Sequence, residues 1–255
     1  MYCLLKIAYD NSFHGFQAQP GIRTVQGEML EALRPIGITR IYASSRTDSH
    51  VRSAGTIVEM EHDDVQKVCR IVDSLKGIAV LGYATREKFV NLRSGIMKTY
   101  WYLSPFPTDG DSLDAAICEF MAGSVSSFSK DRNRKVILDG ISKISGSSFT
   151  LLIFSGRAFS WNFVRIAGET IVRRALGEIG DGEWGEMLQG IRRSRFRGKA
   201  ENLILVDSRS EIMFKGYPSA KIAKIRASIL PEVAWASLLD GSVAEFASDI
   251  GSHRP

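Results

Sequence analysis

Ser44-Ser45-Arg46-Thr47-Asp48-Ser49-His50-Val51-Arg52-Ser53-Ala54-Gly55 sets one carboxylate, Asp48, between two arginines in a segment rich in turn-forming residues. Two apolar, β-branched runs flank it, Ile36-Gly37-Ile38-Thr39-Arg40-Ile41-Tyr42 and Thr56-Ile57-Val58-Glu59-Met60, and both read as strands. The pattern predicts a strand-to-strand loop on a rigid scaffold, the kind of place where catalytic and binding side chains concentrate. Taken alone, these residues leave two readings open. One is a loop tied by a surface Arg–Asp pair contributing about 0–1 kcal/mol; the other is a carboxylate presented for chemistry.

Outward from this stretch, Leu4 to Tyr9 reads as a first strand, followed by a turn at Asp10-Asn11-Ser12 and a loop carrying Phe13, Phe16, Gln17 and Gln19. Thr24 is a natural N-cap for a helix whose apolar face is Val25, Met29, Ala32 and Leu33, ending before Pro35. Asp63 and Asp64 open a second helix with Val65, Val68, Cys69, Val72 and Leu75 at helical spacing and Gly77 as its stop. Ile78 to Thr85 is a further strand. The order β-α-β-β-α-β points to an α+β fold, an α/β sandwich with a largely antiparallel sheet and helices packed on one face, in a ferredoxin-like arrangement.

Polar residues 86–95 separate this half from the next, placing domains at 1–92 and 93–255. The second half repeats the mixture. Strands are expected at 98–104, 136–144 and 149–154, and a helix carries Leu113, Ala116, Ile117, Phe120 and Met121 and stops at Gly123. A longer helix carries Val164, Ala167, Ile171, Val172, Ala175 and Ile179, and another lies around Trp184, Leu188 and Ile191. Segments 219–229 and 232–250 look helical. The chain therefore reads as two ferredoxin-like domains, with additional C-terminal helices in the second.

Hydrophobic and charged fractions of 44% and 24% over 255 residues describe a globular chain rather than a disordered one. A net charge of +5 suits an anionic partner such as nucleic acid without proving one. Cys3, Cys69 and Cys118 are widely spaced and odd in number, which argues for a reduced, cytoplasmic setting; Cys69 and Cys118 fall on apolar helix faces and are expected to be buried. The N-terminal residues enter a strand pattern directly, with no signal peptide or membrane span to read. Arg192-Arg193-Ser194-Arg195-Phe196-Arg197-Gly198-Lys199 is the densest basic run, and Arg132, Arg134 and Lys135 form a second cluster. Such cations either contact phosphates or decorate a solvated helix end.

No phosphate-binding Gly-Lys-Ser/Thr loop, His-Glu-x-x-His or Gly-x-Ser-x-Gly motif is present, and four histidines make a metal or triad site improbable. Ser45-Arg46-Thr47-Asp48 with Val51 and Gly55, however, resembles the Gly-Arg-Thr-Asp-x-Gly-Val-His motif of the tRNA pseudouridine synthase A (TruA) family. Four further segments match in order. Tyr9-Asp10, Phe13, Gly15-Phe16-Gln17, Gln19 and Thr24-Val25-Gln26 resemble the N-terminal Tyr-Asp-Gly…Gly-Phe-Gln-x-Gln element. Tyr100-Trp101-Tyr102 is similar to Tyr-Arg-Tyr, Phe163-Val164-Arg165 with Gly168 to Met-Val-Arg-x-x-x-Gly, and Lys199 to Leu205 to Ala-x-Gly-Leu-x-Leu. The likeness spans roughly residues 4 to 207.

The resemblance implies a tRNA pseudouridine synthase that needs no cofactor and no metal, with its active-site cleft between the two domains. It assigns Asp48, Arg46, Tyr100 and Arg165 to catalysis, with Arg165 reaching Asp48. Gln17, Gln19 and Lys98, together with Arg192, Arg193, Arg195, Arg197 and Lys199, are assigned to RNA. A uridine cannot offer its C1′ from within a helix and must be unstacked into a pocket; alternation along the strand turns Tyr100 toward that pocket and Trp101 away. The resemblance also implies tRNA as substrate, uridines of the anticodon stem-loop at about positions 38 to 40 as targets of this flipping, and a homodimer.

Departures fall beside the site. His50 stands where the family usually carries Gly, Arg52 where it carries His, and Asn11 where it carries Gly. If the family Gly adopts positive φ, a β-carbon at position 50 is strained, although His tolerates that region better than most residues. Two other readings compete with the synthase: a non-catalytic RNA-binding module, and a glycosidase. The latter requires a second carboxylate about 5–10 Å from Asp48, a place for which Glu59 stays open.

Overall fold

A computed structural model describes residues 1–92, 95–131 and 135–229. Arg132, Arg134 and the helix expected at 232–250 lie outside the described residues. In chain order the elements are β1 (Tyr2–Tyr9), α1 (Val25–Leu33), β2 (Tyr42–Ala43), β3 (Arg52–Glu61), α2 (Val65–Ser74), β4 (Ile78–Arg86), β5 (Met97–Ser104), α3 (Gly110–Ala122), β6 (Ile137–Ser145), β7 (Thr150–Ala158), α4 (Phe163–Ala175), α5 (Asp181–Leu188), β8 (Leu203–Arg209), β9 (Lys215–Gly216) and α6 (Ile222–Ile229). The fold is α+β with mostly antiparallel strand pairing.

Contacts gather these residues into two compact units. The first holds Met1–Thr99 and Ile204–Ile229; the second, among the described residues, runs from Tyr100 to Leu203. The first thus extends past residue 92 and takes back a later segment, because β8 pairs in parallel with β3 at Arg52↔Ile204 and Ser53↔Leu205.

In the first unit β1 is central, antiparallel to β3 on one side and to β4 on the other. Alternation puts Cys3, Leu5 and Ile7 of β1 on the face that meets Val58 and Met60 of β3, and α1 and α2 cover it with Val25, Met29, Leu33, Val68, Cys69 and Val72. Thr24 caps α1 by accepting from Gly27 N, and Asp64 caps α2 by accepting from Lys67 N. Burial pushes the Cys69 thiol up to about 12, as suits an inert core residue. The expectation that helices lie on one face holds for α1 and α2 but not for α6, whose Ile225 packs with Ala8, Ala79 and Ile204.

The strand expected over 36–42 is largely absent. Pro35 sits within a single 3-10 turn at Arg34–Ile36, Gly37 closes it at φ 88° by donating from N to Arg34 O, and only Tyr42–Ala43 pair with β3. Ile38 and Ile41 are nonetheless buried, so their apolarity reports core burial within irregular backbone rather than a strand. β3 starts at Arg52, which shortens the loop on that side.

In the second unit β7 lies between β6 and β5. Phe120 of α3, Phe128, Phe163 of α4 and Trp184 of α5 form a chain of ring contacts in its core. Cys118 is exposed, not buried: α3 buries Leu113, Ala116 and Phe120, and a residue two positions from both Ala116 and Phe120 points to the opposite side of a helix. α4 ends before Ile179, which is buried beyond Gly177 at φ 76°. α5 stops at Leu188, with Gly190 at φ 78° turning the chain, so Ile191 is 67% exposed and the basic run is irregular chain that follows the helix, its first residue bonded from Arg192 N to Glu186 O.

Candidate active site

Asp48 is half-buried at the head of a tight turn closed by Val51 N donating to Asp48 O at 3.2 Å, with His50 at φ 65° as its third residue. The loop is held from three directions. Phe16 N donates to Thr47 O at 3.1 Å and His50 N to Phe13 O at 3.1 Å, stitching it to the segment that follows β1. Gly15, at φ 95°, backs directly onto it: a β-carbon there would meet Thr47 O at 3.1 Å, Ser49 N at 3.2 Å and the Asp48 carbonyl carbon at 3.3 Å. Below, the buried hydroxyls of Tyr9 and Thr47 bond at 2.8 Å, Thr56 donates to Tyr9 at 3.3 Å, and Ser53 bonds Thr56 at 2.8 Å. Burial pushes the Tyr9 phenol pKa up, so this network stays neutral. Asp48 therefore stands on a rigid, uncharged base, as a carboxylate that must be placed accurately requires.

Of the residues assigned by sequence, Arg46 and Gln17 meet: Arg46 Nη1 donates to Gln17 Oε1 at 3.0 Å, with both side chains on the surface. Gln19 is exposed on the same loop, where its carbonyl accepts from Ile22 N. Gln26 ties that loop down, accepting from Ala18 N and donating to Ile41 O. His50 Nδ1 lies 3.2 Å from Asn11 O, and its ring meets His14 edge-on at 5.2 Å.

Along β5 burial alternates, so Lys98, Tyr100, Tyr102 and Ser104 share one side and Trp101 faces the other. Tyr100 is 6% exposed and packs edge-to-face on Phe159 at 5.0 Å. Lys98 is buried, donates to Ile96 O at 3.3 Å, and loses enough hydration that its pKa falls to about 8. In the second unit, Arg165 in the first turn of α4 donates from Nε to Gly198 O at 2.9 Å and from Nη1 to Asn162 Oδ1 at 3.0 Å. Gly198 N returns a bond to Arg165 O. The Tyr102 ring lies so close to Gly168 and Gly198 that neither position has room for a β-carbon, and its hydroxyl bonds Glu169. Sequence reasoning passed over Gly15, Gly198 and the Tyr9–Thr47 pair as site residues, although each stands within or beside a quoted motif.

The basic run divides. Arg192 pairs with Glu186 at 3.4 Å and Glu183 at 3.7 Å, and Arg195 with Glu183 at 3.3 Å. Arg193, Arg197 and Lys199 are exposed and form no ion pair among the described residues. Glu59 is fully buried and accepts from Val90 N at 2.7 Å, and desolvation raises its pKa. It sits seven residues along β3 from Arg52, about 20 Å at strand rise, too far to serve as the paired acid of a glycosidase.

No protein-family model matches the chain. Among curated proteins, tRNA pseudouridine synthase A of Pyrococcus horikoshii is 30% identical over 235 residues, covering 85% of this chain and 86% of the relative. The chain belongs to the tRNA pseudouridine synthase A family. The Pyrococcus furiosus protein of the same name is 28% identical over 90% of this chain and 91% of its own, and that of Methanosphaera stadtmanae 29% over 85% and 87%. In this tRNA pseudouridine synthase A family chain, the conditional strain at position 50 is real: His50 does occupy positive φ, a region it tolerates at modest cost. Arg52, the neighbouring departure, is 6% exposed at the start of β3, with its Nε buried.

Proposed function

We propose that this chain isomerises uridine to pseudouridine in tRNA, using Asp48. The likeness to tRNA pseudouridine synthase A along nearly the whole length of the relative carries the reading, and the rigid seating of Asp48 supports it. In this reaction the bond from uracil N1 to ribose C1′ breaks, the base turns in place, and C5 bonds to C1′. The C5 proton is lost and N1 gains one, so atoms balance without a cofactor. The ionised Asp48 oxygen acts at the sugar as nucleophile or base. Tyr100 stacks on the flipped uridine, and Arg165 and Arg46 serve the same reaction, with Arg165 keeping Asp48 ionised once the base excludes water. Gln17, Gln19, Lys98 and the basic run hold the RNA.

The targets in this reading are uridines of the anticodon stem-loop, reached by flipping at about positions 38 to 40. The enzyme works in the cytoplasm as a homodimer of two-domain, ferredoxin-like subunits, with the cleft between the domains as the place of reaction. No helix among the described residues is long and apolar enough to cross a membrane. Chemical mapping of pseudouridine in tRNA from cells with and without the gene, together with conversion of transcript tRNA by the purified protein, tests the proposal. Binding without conversion would leave the RNA-binding module in its place.

A further inference from the structure

A cavity of about 580 Å³ lies in the first unit, lined by Tyr2, Gly37, Ile38, Thr39, Arg40, Tyr42, Glu61 and Phe89. Its volume is that of a small-molecule site. Register explains how the rings assemble: Tyr2 of β1 stands opposite Glu61 of β3, and Tyr42 of β2 opposite Glu59. Cross-strand partners share a face, so both tyrosines project to one side. Phe89 comes from the segment after β4 and is fixed there by its neighbour, since Val90 N donates to the buried Glu59 carboxylate. Its ring stands edge-on to Tyr42 at 4.8 Å and to Tyr2 at 5.9 Å.

Tyr42 and Phe89 remain 44% and 45% exposed, so the core does not use these faces. A rim of partly open rings with an exposed cation, Arg40, and an exposed carboxylate, Glu61, is chemistry for a nucleotide. The rings stack on the base, the guanidinium meets the phosphate, and the carboxylate accepts from an exocyclic amino group. We propose that this pocket receives one unstacked nucleotide of the tRNA, distinct from the target uridine. β3 has 10 residues, with the Asp48 loop joined at its Arg52 end and the pocket at its Glu61 end, so the two sites stand about 30 Å apart. The pocket reads a remote part of the substrate, an inference that rests on the tRNA reading above.

The test compares Tyr42→Ala, Phe89→Ala and Arg40→Glu with wild type on full-length transcript tRNA and on a short stem-loop carrying the target uridine. All three positions are exposed, and Tyr42→Phe serves as a control that keeps the ring. The expected result is roughly tenfold or more weaker binding and higher KM for full-length tRNA with Tyr42→Ala and Phe89→Ala. The rate at saturation, and all behaviour toward the stem-loop, should be unchanged, and Tyr42→Phe should match wild type. Wild-type affinity of all three variants for full-length tRNA would overturn the pocket while leaving the isomerase reading intact. So would equal losses on both RNAs, or a changed oligomeric state with RNA affinity unaltered. If wild type itself fails to isomerise either RNA, the functional reading falls instead.

Discussion

Arg165 and Gly198 clasp each other through two bonds, Gly198 N to Arg165 O at 3.0 Å and Arg165 Nε to Gly198 O at 2.9 Å. The first turn of α4 and the end of the basic run are thereby one piece, with Tyr102 packed against Gly198. A guanidinium held through Nε keeps a fixed direction for its remaining donors. Arg165→Ala should lower turnover by orders of magnitude, and Arg165→Lys should recover only part of it, because an ammonium lacks the planar fork. Arg173 on the same helix is occupied by Glu169 and Glu178, so Arg173→Ala should cost about 3 kcal/mol of stability, by stranding the buried Glu169 carboxylate, and little activity. Single-turnover rates beside thermal melts separate the two; near-normal turnover by Arg165→Ala would reject a role for it in the reaction.

Asp48→Asn preserves shape and removes the ionised oxygen. Isomerisation should disappear while tRNA affinity stays within a few-fold of wild type. Substantial single-turnover conversion by the verified variant would remove Asp48 from the mechanism.

Neutralising Arg193, Arg197 and Lys199 should weaken binding to cognate and unrelated tRNAs alike, each lost contact flattening the slope of log K against log salt by roughly 0.7–0.9. Arg192 and Arg195 already face Glu183 and Glu186, so their removal should move the slope less. Equal slopes for the two sets would show that those ion pairs open on binding.

Lys98 gives a pH signature. Its folded pKa, about 8, lies below the ordinary lysine value because burial penalises the charge. The folded state therefore binds the proton less tightly than the unfolded one, and the penalty is full below pH 8 and fades as pH rises toward 10.5. Lys98→Met should be more stable than wild type at pH 7, by about 3 kcal/mol at most, and the gap should narrow by pH 9.5. Denaturant melts at the two pH values measure it; a constant gap would mean that Lys98 does not titrate in this range.

Local rules carried far in this chain. Thr24 and Asp64 mark their helix starts because capping is chemistry between near neighbours, whereas α2 ends at Ser74, before the expected stop at Gly77. Tyr100 and Trp101 fall on opposite sides because strand alternation is equally local. What failed depended on distant partners. Ile36 to Tyr42 is as β-branched as a strand, yet of its residues only Tyr42 finds a strand neighbour to pair with. Cys118 and Ile191 look apolar and periodic, but both are exposed among the described residues. The Asp48 motif was legible as a string of residues. Its support was not, since Tyr9, Gly15 and Thr56 come from three separate stretches.

That last feature bears on transplanting the loop. Residues 44–55 moved alone into another scaffold would leave behind the glycine that touches the Asp48 peptide and the phenol that supports Thr47. Gly15→Ala should reproduce this failure within the native chain: a methyl at φ 95° is strained by about 1–3 kcal/mol and presses on the Asp48 backbone. Melting temperature and turnover should fall together, and a compensating change would have to arise at 47–49 rather than near position 15. The portable unit of chemistry is a discontinuous set of residues, and sequence drift in one member constrains drift in the others.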